Sequence, residues 1–173
     1  MKIKKTYFIL FILLGLTLFS KAQIIGAGAS AIYNFQSESA GAGLRATIFP
    51  NKRISLTPQF SYFFPFNKVN EYTISLAVEG KVIKREKLNV YLLVNGGYNA
   101  WLNYKESYMK GAKPNNWNLE GGIGISTNTC LRPFLEYRYN VKFLETHLDL
   151  GFIYIFGCNN YKDDTSCPTF NKN

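Results

Sequence analysis

The residues best suited to chemistry are the only histidine of the chain, His147, and Asp149 two residues later. A histidine oriented by a carboxylate acts as a general base when a hydroxyl, a thiol or a water lies within hydrogen-bond reach. The sequence suggests no such third group, and it contains neither a phosphate-binding loop nor a metal-ligand spacing. We therefore predict a protein that is not an enzyme and that needs no cofactor and no metal, with His147 and Asp149 as polar residues of a structural interior.

The segment that carries this pair changes character at nearly every residue. In residues 132–143, RPFLEYRYNVKF, one parity is apolar or aromatic and the other is mostly charged or polar, and the alternation resumes in residues 147–156. A period of two residues indicates β-strands with two different faces. A soluble sheet exposes the polar face to water, whereas a membrane barrel turns the apolar face to lipid and the polar face to its lumen.

The same period continues through the rest of the chain. It covers residues 24–35, 41–49, 54–64, 72–82, 90–104 and 117–127, which makes eight strands with the two above. About ten residues cross a bilayer as a tilted strand, and bacterial barrels of one chain have an even number of strands. We therefore predict an all-β protein, an eight-stranded antiparallel up-and-down transmembrane β-barrel. Pro58, in mid-strand, removes one backbone donor and raises the question of a local bulge.

The N-terminus predicts export. Three lysines precede an apolar run from Tyr7 to Phe19, and small residues follow at Ser20 and Ala22, which is typical of a cleaved signal peptide. The predicted organisation is a signal peptide at residues 1–22, the barrel at residues 23–157 and a short periplasmic tail at residues 158–173. Without the four lysines of the leader the net charge falls from +9 to +5, too mild to argue for a nucleic-acid partner.

The links between the strands suggest an orientation. The links at residues 50–53, 85–89 and 128–131 are tight and polar, and we place them in the periplasm, whereas the longest link, at residues 106–116, falls on the extracellular side. Aromatic residues of outward parity lie near the predicted outer rim, where tyrosine and tryptophan prefer the membrane interface. This predicted aromatic girdle consists of Tyr33, Tyr62, Phe64, Tyr72, Tyr104, Trp117 and Phe143.

Several segments resemble a known family. The runs KLNVYLLVNGGY (residues 87–98), GGIGI (residues 121–125) and RPFLEYRYN with HLDLGFIYIFG are similar to the later strands of small eight-stranded outer-membrane barrels. The resemblance is to the OmpA-transmembrane and opacity-like group and to the PorT-like barrels of Gram-negative bacteria, and it extends over the chain beyond the leader. It implies an outer-membrane barrel and leaves the role open, because such barrels include structural, adhesive and complex-associated members.

The predicted lumen contains long side chains of both charges. An eight-stranded barrel is wide enough only for its own side chains or one small ligand, so we predict a plugged interior. The predicted charge network, centred on Arg138, consists of Arg45, Glu79, Lys81, Glu120, Glu136, Arg138, Lys142 and Asp149. A two-residue connection at Leu144-Glu145 would place Arg138 opposite Gly151. A solvated lumen with mobile side chains is the alternative.

Three cysteines fall on the predicted periplasmic side, where disulfides persist. Parity turns Cys130 inward and Cys158 outward, although the predicted hairpin places them one diagonal step apart. We therefore predict a Cys130–Cys167 bridge, with Cys158–Cys167 as the alternative and three free thiols as a further possibility.

The outward faces of the first two strands carry small residues, namely Ala27, Ala29, Ala31, Ala42 and Ala46. Small residues allow another membrane element to approach closely, although alanine is also a tolerated lipid-facing residue. Besides outer-membrane lipid, we therefore expect another outer-membrane protein as a candidate partner. The function expected is a structural barrel or an accessory subunit of a larger outer-membrane assembly, and the alternative is a small-solute channel or a surface adhesion or binding barrel.

Overall fold

The computed structural model describes residues 25–64, 70–85, 87–102 and 113–158. The predicted signal peptide, the tail from residue 159 onward, Tyr104 and Cys167 lie outside the described residues. The described chain contains eight strands. They are β1 (Ile25–Asn34), β2 (Ser39–Ile48), β3 (Ile54–Phe63), β4 (Asn70–Lys84), β5 (Leu88–Leu102), β6 (Asn115–Thr127), β7 (Leu131–Asn140) and β8 (Glu145–Ile155).

The strands form one closed barrel in sequence order. Each strand pairs antiparallel with the next, and β1 pairs with β8, for example through Ala29 and Phe152, which closes the ladder. The predicted fold class, an eight-stranded antiparallel up-and-down barrel, is confirmed. Among the described residues, no helix has the length and the apolar character needed to cross a membrane.

The faces of the barrel are the reverse of those of a soluble protein. Along β7 the residues alternate strictly, with Leu131, Leu135 and Tyr137 exposed, and Arg132 and Glu136 buried. Large apolar side chains are exposed on every strand, among them Leu44, which is 64% exposed. Most of the buried side chains that point inward are polar or charged. This is the arrangement of a barrel whose outer face contacts an apolar environment and whose lumen is polar.

The hairpin between β7 and β8 corrects a predicted register. The turn contains four residues, Val141–Leu144, and Asn140 pairs with Glu145, so Arg138 lies opposite His147 and not opposite Gly151. Leu144 adopts a positive φ of 55°, which helps to reverse the chain. The prediction was wrong because the apolar and polar alternation continues into the turn, and it therefore hid the end of β7.

Pro58 causes no shift of register. It pairs with Leu76 within an uninterrupted ladder between β3 and β4. The irregularity lies instead between Lys81 and Ile83, where β4 gains one residue relative to β5. The extra residue leaves both Val82 and Ile83 exposed on the outer face, as expected for a β-bulge.

Two glycines give the interior the space for its large side chains. A Cβ atom at Gly124 would lie 2.4 Å from the ring of Tyr91, and one at Gly151 would lie 2.7 Å from the ring of Phe134. Both rings point into the lumen and pack against bare backbone. A side chain at either position would displace an aromatic ring from a narrow interior.

The disulfide also differs from the prediction, because Cys130 is bonded to Cys158, with the Cα atoms 5.5 Å apart. The predicted bridges to Cys167 are therefore wrong. Cys130 precedes β7 and Cys158 follows β8, so neither lies within the regular ladder to which the parity argument applies. Gly157, with a φ of 71°, turns the chain just before Cys158.

Candidate functional site in the barrel interior

The interior of the barrel has two ends. The upper end carries the β1–β2, β3–β4, β5–β6 and β7–β8 links, and the lower end carries the other three links and the disulfide. Between them lies the central network, which we define as Arg45, Glu120, Glu136, Arg138 and Asp149. These residues come from β2, β6, β7 and β8, so the network crosses the barrel.

The central network is built around Glu136 and Arg138. Arg45 donates to both oxygens of Glu136, at 2.7 and 3.1 Å, and Arg138 donates from Nε to the same carboxylate at 2.8 Å. The phenol of Tyr91 gives Glu136 a further donor at 2.7 Å. Arg138 Nη2 donates to it as well, so Glu136, which is fully buried, has five donors that compensate for the loss of water.

Each arginine also reaches a second carboxylate. Arg45 donates to Asp149 Oδ2 at 2.7 Å, while Arg138 lies 3.3 Å from the same oxygen and 3.7 Å from Glu120. Gln59 accepts from both guanidinium groups, and the ring of Phe134 lies 4.0 Å below the guanidinium carbon of Arg45. Together with Tyr91 on β5 and Gln59 on β3, the central network therefore connects six of the eight strands through side chains.

Three predicted members lie elsewhere. Glu79 accepts from the hydroxyls of Ser55 and Thr57 at 3.1 and 2.5 Å, and Lys81 donates to backbone carbonyls of the β2–β3 turn. The placement of Lys142 in the lumen is wrong, because this residue is exposed in the β7–β8 turn. The continued alternation that hid the end of β7 also explains this error.

Two interior residues were missed from the sequence. Tyr91 was not among the predicted lumen residues, although its position between Val90 and Leu92 gives it inward parity. Arg132 was not assigned to any network. Its Nε donates to Thr129 O at 3.0 Å and its Nη1 to Pro50 O at 2.9 Å, and Asn51 Oδ1 accepts from its Nη2.

The lower end therefore has its cations tied to the backbone. Lys81 donates to the carbonyl oxygens of Pro50 and, at 2.8 Å, of Lys52, next to the contacts of Arg132. An apolar cluster of Cys130, Phe134, Ile153, Ile155 and Cys158 lies beside them. A small cavity remains between Glu79, Lys81 and Arg132, with about 20 Å³ for the centres of water-sized molecules.

The upper end contains a second cavity, which we call the upper chamber. Its walls are rich in oxygen atoms, and it also offers about 20 Å³ for the centres of water-sized molecules. Its lining consists of Ile32, Gln59, Ser61, Phe63, Glu71, Thr73, Asn95, Asn118, Glu120, Arg138, Asn140, Glu145, His147 and Asp149. The central network lies between the two cavities, so the described interior is divided into an upper and a lower part.

His147 and Asp149 both point inward but have different neighbours. The imidazole lies between two carboxylates, with Nδ1 3.7 Å from Glu120 and Nε2 3.7 Å from Glu145. Asp149 is engaged with the two arginines of the central network. The carboxylate that would orient a catalytic histidine is thus occupied elsewhere. Within the described residues, no group of three or more His, Cys, Asp or Glu side chains has an arrangement suited to a metal ion.

The outer face carries the other predicted residues. Six of the seven predicted girdle residues are described and lie on the outer face or at the rim of the upper end. They include exposed Trp117 and the edge-to-face pair of Tyr62 and Phe64. The predicted alanines meet across β1 and β2, where Ala27 pairs with Ala46 and Ala31 with Ala42. Larger residues border them, with Phe152 and Tyr154 on β8 and Phe60 and Tyr62 on β3.

Comparison with known proteins agrees on the fold. A de novo designed transmembrane β-barrel superposes with a TM-score of 0.52 at 14% identity, covering 78% of this chain and 97% of the design. The N-terminal β-barrel domain of Pseudomonas aeruginosa OprF superposes with a TM-score of 0.59 at 14% identity, covering 78% of this chain and 98% of that domain. No protein-family model and no curated protein sequence matches the chain. The chain thus has the fold of small eight-stranded transmembrane barrels.

Proposed function

We propose that the protein is an integral barrel of the bacterial outer membrane, with a plugged lumen and a structural or accessory role. The observation that carries the proposal is the reversal of its faces. Leu44, Ile54 and Val94 are more than half exposed on the outer face, while Glu136 and Asp149 are buried inside. Exposure of such a continuous apolar surface to water is unfavourable, whereas its contact with lipid is favourable.

The interior favours a plug over a channel. The central network crosses the lumen with side-chain contacts as short as 2.7 Å, and each of the two cavities offers about 20 Å³ to water-sized molecules. That is space for one or two waters on either side of the network. A small-solute channel would need the arginine and carboxylate pairs to separate, which costs several kcal/mol because each charge would lose its partner.

A non-enzymatic role fits the geometry of His147. General-base chemistry needs a histidine with a carboxylate on one nitrogen and a nucleophile on the other. Here both ring nitrogens face carboxylates at 3.7 Å. This arrangement supports a role in the polar interior.

An accessory role would use the alanine surface of β1 and β2. The five alanines form a strip between larger residues of β8 and β3, interrupted by Leu44 opposite Ala29, and we propose that it packs against a strand of another outer-membrane protein. Small side chains let two membrane elements approach closely, because dispersion contacts replace contacts with mobile lipid.

The membrane location is tested by fractionation and gel migration. We expect the protein in the outer-membrane fraction. Unheated samples should migrate differently from boiled ones, because a closed ladder has no free edge at which detergent can open it. Recovery as a soluble periplasmic monomer would refute the proposal.

The accessory role is tested separately with a photo-reactive residue at Ala31, in cells. The matched control is the same residue at Ile123, which is exposed on the outer face of β6. We expect one discrete cross-linked outer-membrane protein from position 31 and none from position 123. Equal products from both positions, or none from either, would leave the alanine strip as a lipid-facing surface.

A further inference from the structure

The upper chamber presents hydrogen-bond acceptors that have no donor. Asn95 and Asn118 donate through Nδ2 to Glu120, at 2.9 and 3.3 Å. A carboxylate only accepts, so these contacts fix each amide with its nitrogen toward Glu120 and its oxygen away from it. Both Oδ1 atoms lack a hydrogen-bond partner among the described residues, although Asn95 is 1% exposed and Asn118 is 8% exposed.

The same pattern recurs at Asn99, two lumen positions beyond Asn95 on β5 and outside the lining of the chamber. Asn99 donates to Glu71 through Nδ2, and its Oδ1 is again buried without a partner in the described part of the chain. A buried acceptor without a donor costs about 1–3 kcal/mol. In folded proteins, a buried acceptor without a protein donor is expected mainly where a ligand or an ordered water supplies the hydrogen bond.

The charge around the chamber is also unbalanced. Three glutamates, Glu71, Glu120 and Glu145, line it together with Asp149. The arginine in this lining is Arg138, which donates to Glu136 and Gln59 and also lies 3.3 Å from Asp149 and 3.7 Å from Glu120. Glu71 and Glu145 have no arginine or lysine partner among the described residues, so an additional positive group in the chamber would meet carboxylates that Arg138 does not neutralise.

We propose that the upper chamber binds the primary ammonium group of a small organic amine. An ammonium group has three donors and no acceptor, which suits walls made of carboxylate and amide oxygens. It is also close to the size of a water molecule, and the chamber accommodates one or two such groups. A water would bring acceptor lone pairs that these walls do not need.

The chamber also has apolar residues that can contact the carbon atoms of the amine. Ile32 and Phe63 line the same chamber beside the oxygen atoms, and the ring of Phe63 lies 5.8 Å from that of His147. Glu145, with 28% of its side chain exposed, marks the open side. The ammonium end lies deepest, near Glu120, and a short aliphatic stem extends past Phe63 toward the mouth. The inference rests on the proposed function in one respect, namely the side of the membrane on which this mouth opens.

The test is a titration of the whole mature protein, folded in detergent micelles, with methylammonium chloride, observed by NMR. The indole N–H of Trp101 donates to Glu71 at 3.2 Å and reports on the chamber, whereas Trp117, 74% exposed on the outer face, serves as the internal control. We expect a saturable shift of the Trp101 signal without a matching shift of the Trp117 signal. Tetramethylammonium has the same charge but no donors, and it should bind at least tenfold more weakly.

Variants separate the chamber from general electrostatics. Glu145→Gln should weaken methylammonium binding at least fivefold, whereas Glu38→Gln, which removes an exposed charge in the β1–β2 turn, should change it less than twofold. Each of three results would overturn the proposal: no saturable shift in the wild type, equal weakening by both variants, or binding of tetramethylammonium or Mg²⁺ in preference to methylammonium. Gel migration of the same samples shows whether the barrel is intact, so a lack of binding is distinguishable from a failure of the proposed function.

Discussion

At the lower end of the barrel, Lys81 and Arg132 donate to carbonyl oxygens of the adjoining turns, whereas at the upper end amide and carboxylate oxygens face an open chamber. The lower end has a turn folded beneath its cations and a disulfide beside them. Most of the buried side-chain atoms without a partner in the described residues lie in the upper half, among them oxygens of Asn95, Asn99 and Asn118. The difference teaches that the lower end is arranged for stability and the upper end retains the capacity to bind.

The largest effect is expected at the boundary between the two ends. Arg138→Ala should lower the free energy of unfolding by roughly 3–5 kcal/mol, because Glu136 and Asp149 would lose a partner while remaining buried. Urea unfolding in lipid vesicles measures it. Lys142→Ala, in the exposed β7–β8 turn, is the control and should stay within about 0.5 kcal/mol of the wild type. An Arg138→Ala barrel as stable as the wild type would show that the network does not hold the two ends together.

Removing the disulfide should weaken the lower end next. The double variant Cys130→Ser and Cys158→Ser should lose roughly 2–4 kcal/mol, because the bridge closes a segment of 28 residues in the unfolded chain. The same unfolding experiment, without reductant, measures the loss. Cys167→Ser should leave the stability unchanged. If Cys167→Ser were as destabilising as the double variant, the bridge would involve Cys167 after all.

Arg132 tests the backbone contacts of the lower end. Arg132→Met keeps much of the side-chain length but removes the donors to Pro50, Asn51 and Thr129, and we expect a loss of about 1–3 kcal/mol. Arg53→Met removes an exposed arginine beside the same turn and should be nearly neutral. Equal stability of both variants would mean that the turn is held by other contacts.

The smallest effect is expected in the upper chamber. Asn118→Leu should change the stability by less than about 1 kcal/mol, because the lost 3.3 Å bond to Glu120 is offset by removal of an unpaired oxygen. Thr57→Val, which removes a 2.5 Å bond to Glu79 at the lower end, should cost more. The reverse order would contradict the assignment of stability to the lower end.

The sequence was sufficient to predict the strands and their faces. A period of two residues over eight segments depends only on local alternation, so it survives small errors at the ends of the strands. It did not predict the register of the β7–β8 hairpin, because the four-residue turn continues the alternation. The structure marks this turn by Asn140, whose Oδ1 accepts from the backbone of Lys142 and Phe143, and by the positive φ of Leu144.

The contacts of the interior were harder to predict for a different reason. Which lumen residues share a level depends on the stagger of eight strands, and one wrong turn shifts every later partner. Arg138 was still placed near Asp149 because a diagonal neighbour is available in either register. The residue type did not identify Tyr91 as a lumen residue, because tyrosine is common both at the membrane interface and in buried sites where its hydroxyl has an acceptor.

The most direct test of the central claim is the conductance of the purified wild-type protein in a planar lipid bilayer. A closed barrel with Arg45 on β2 and Glu136 on β7 linked across its lumen predicts little steady current, in samples whose insertion is established by their heat-dependent gel migration. The opposite result, large and stable currents from the wild type, would show that the interior is open and that the network is not a plug.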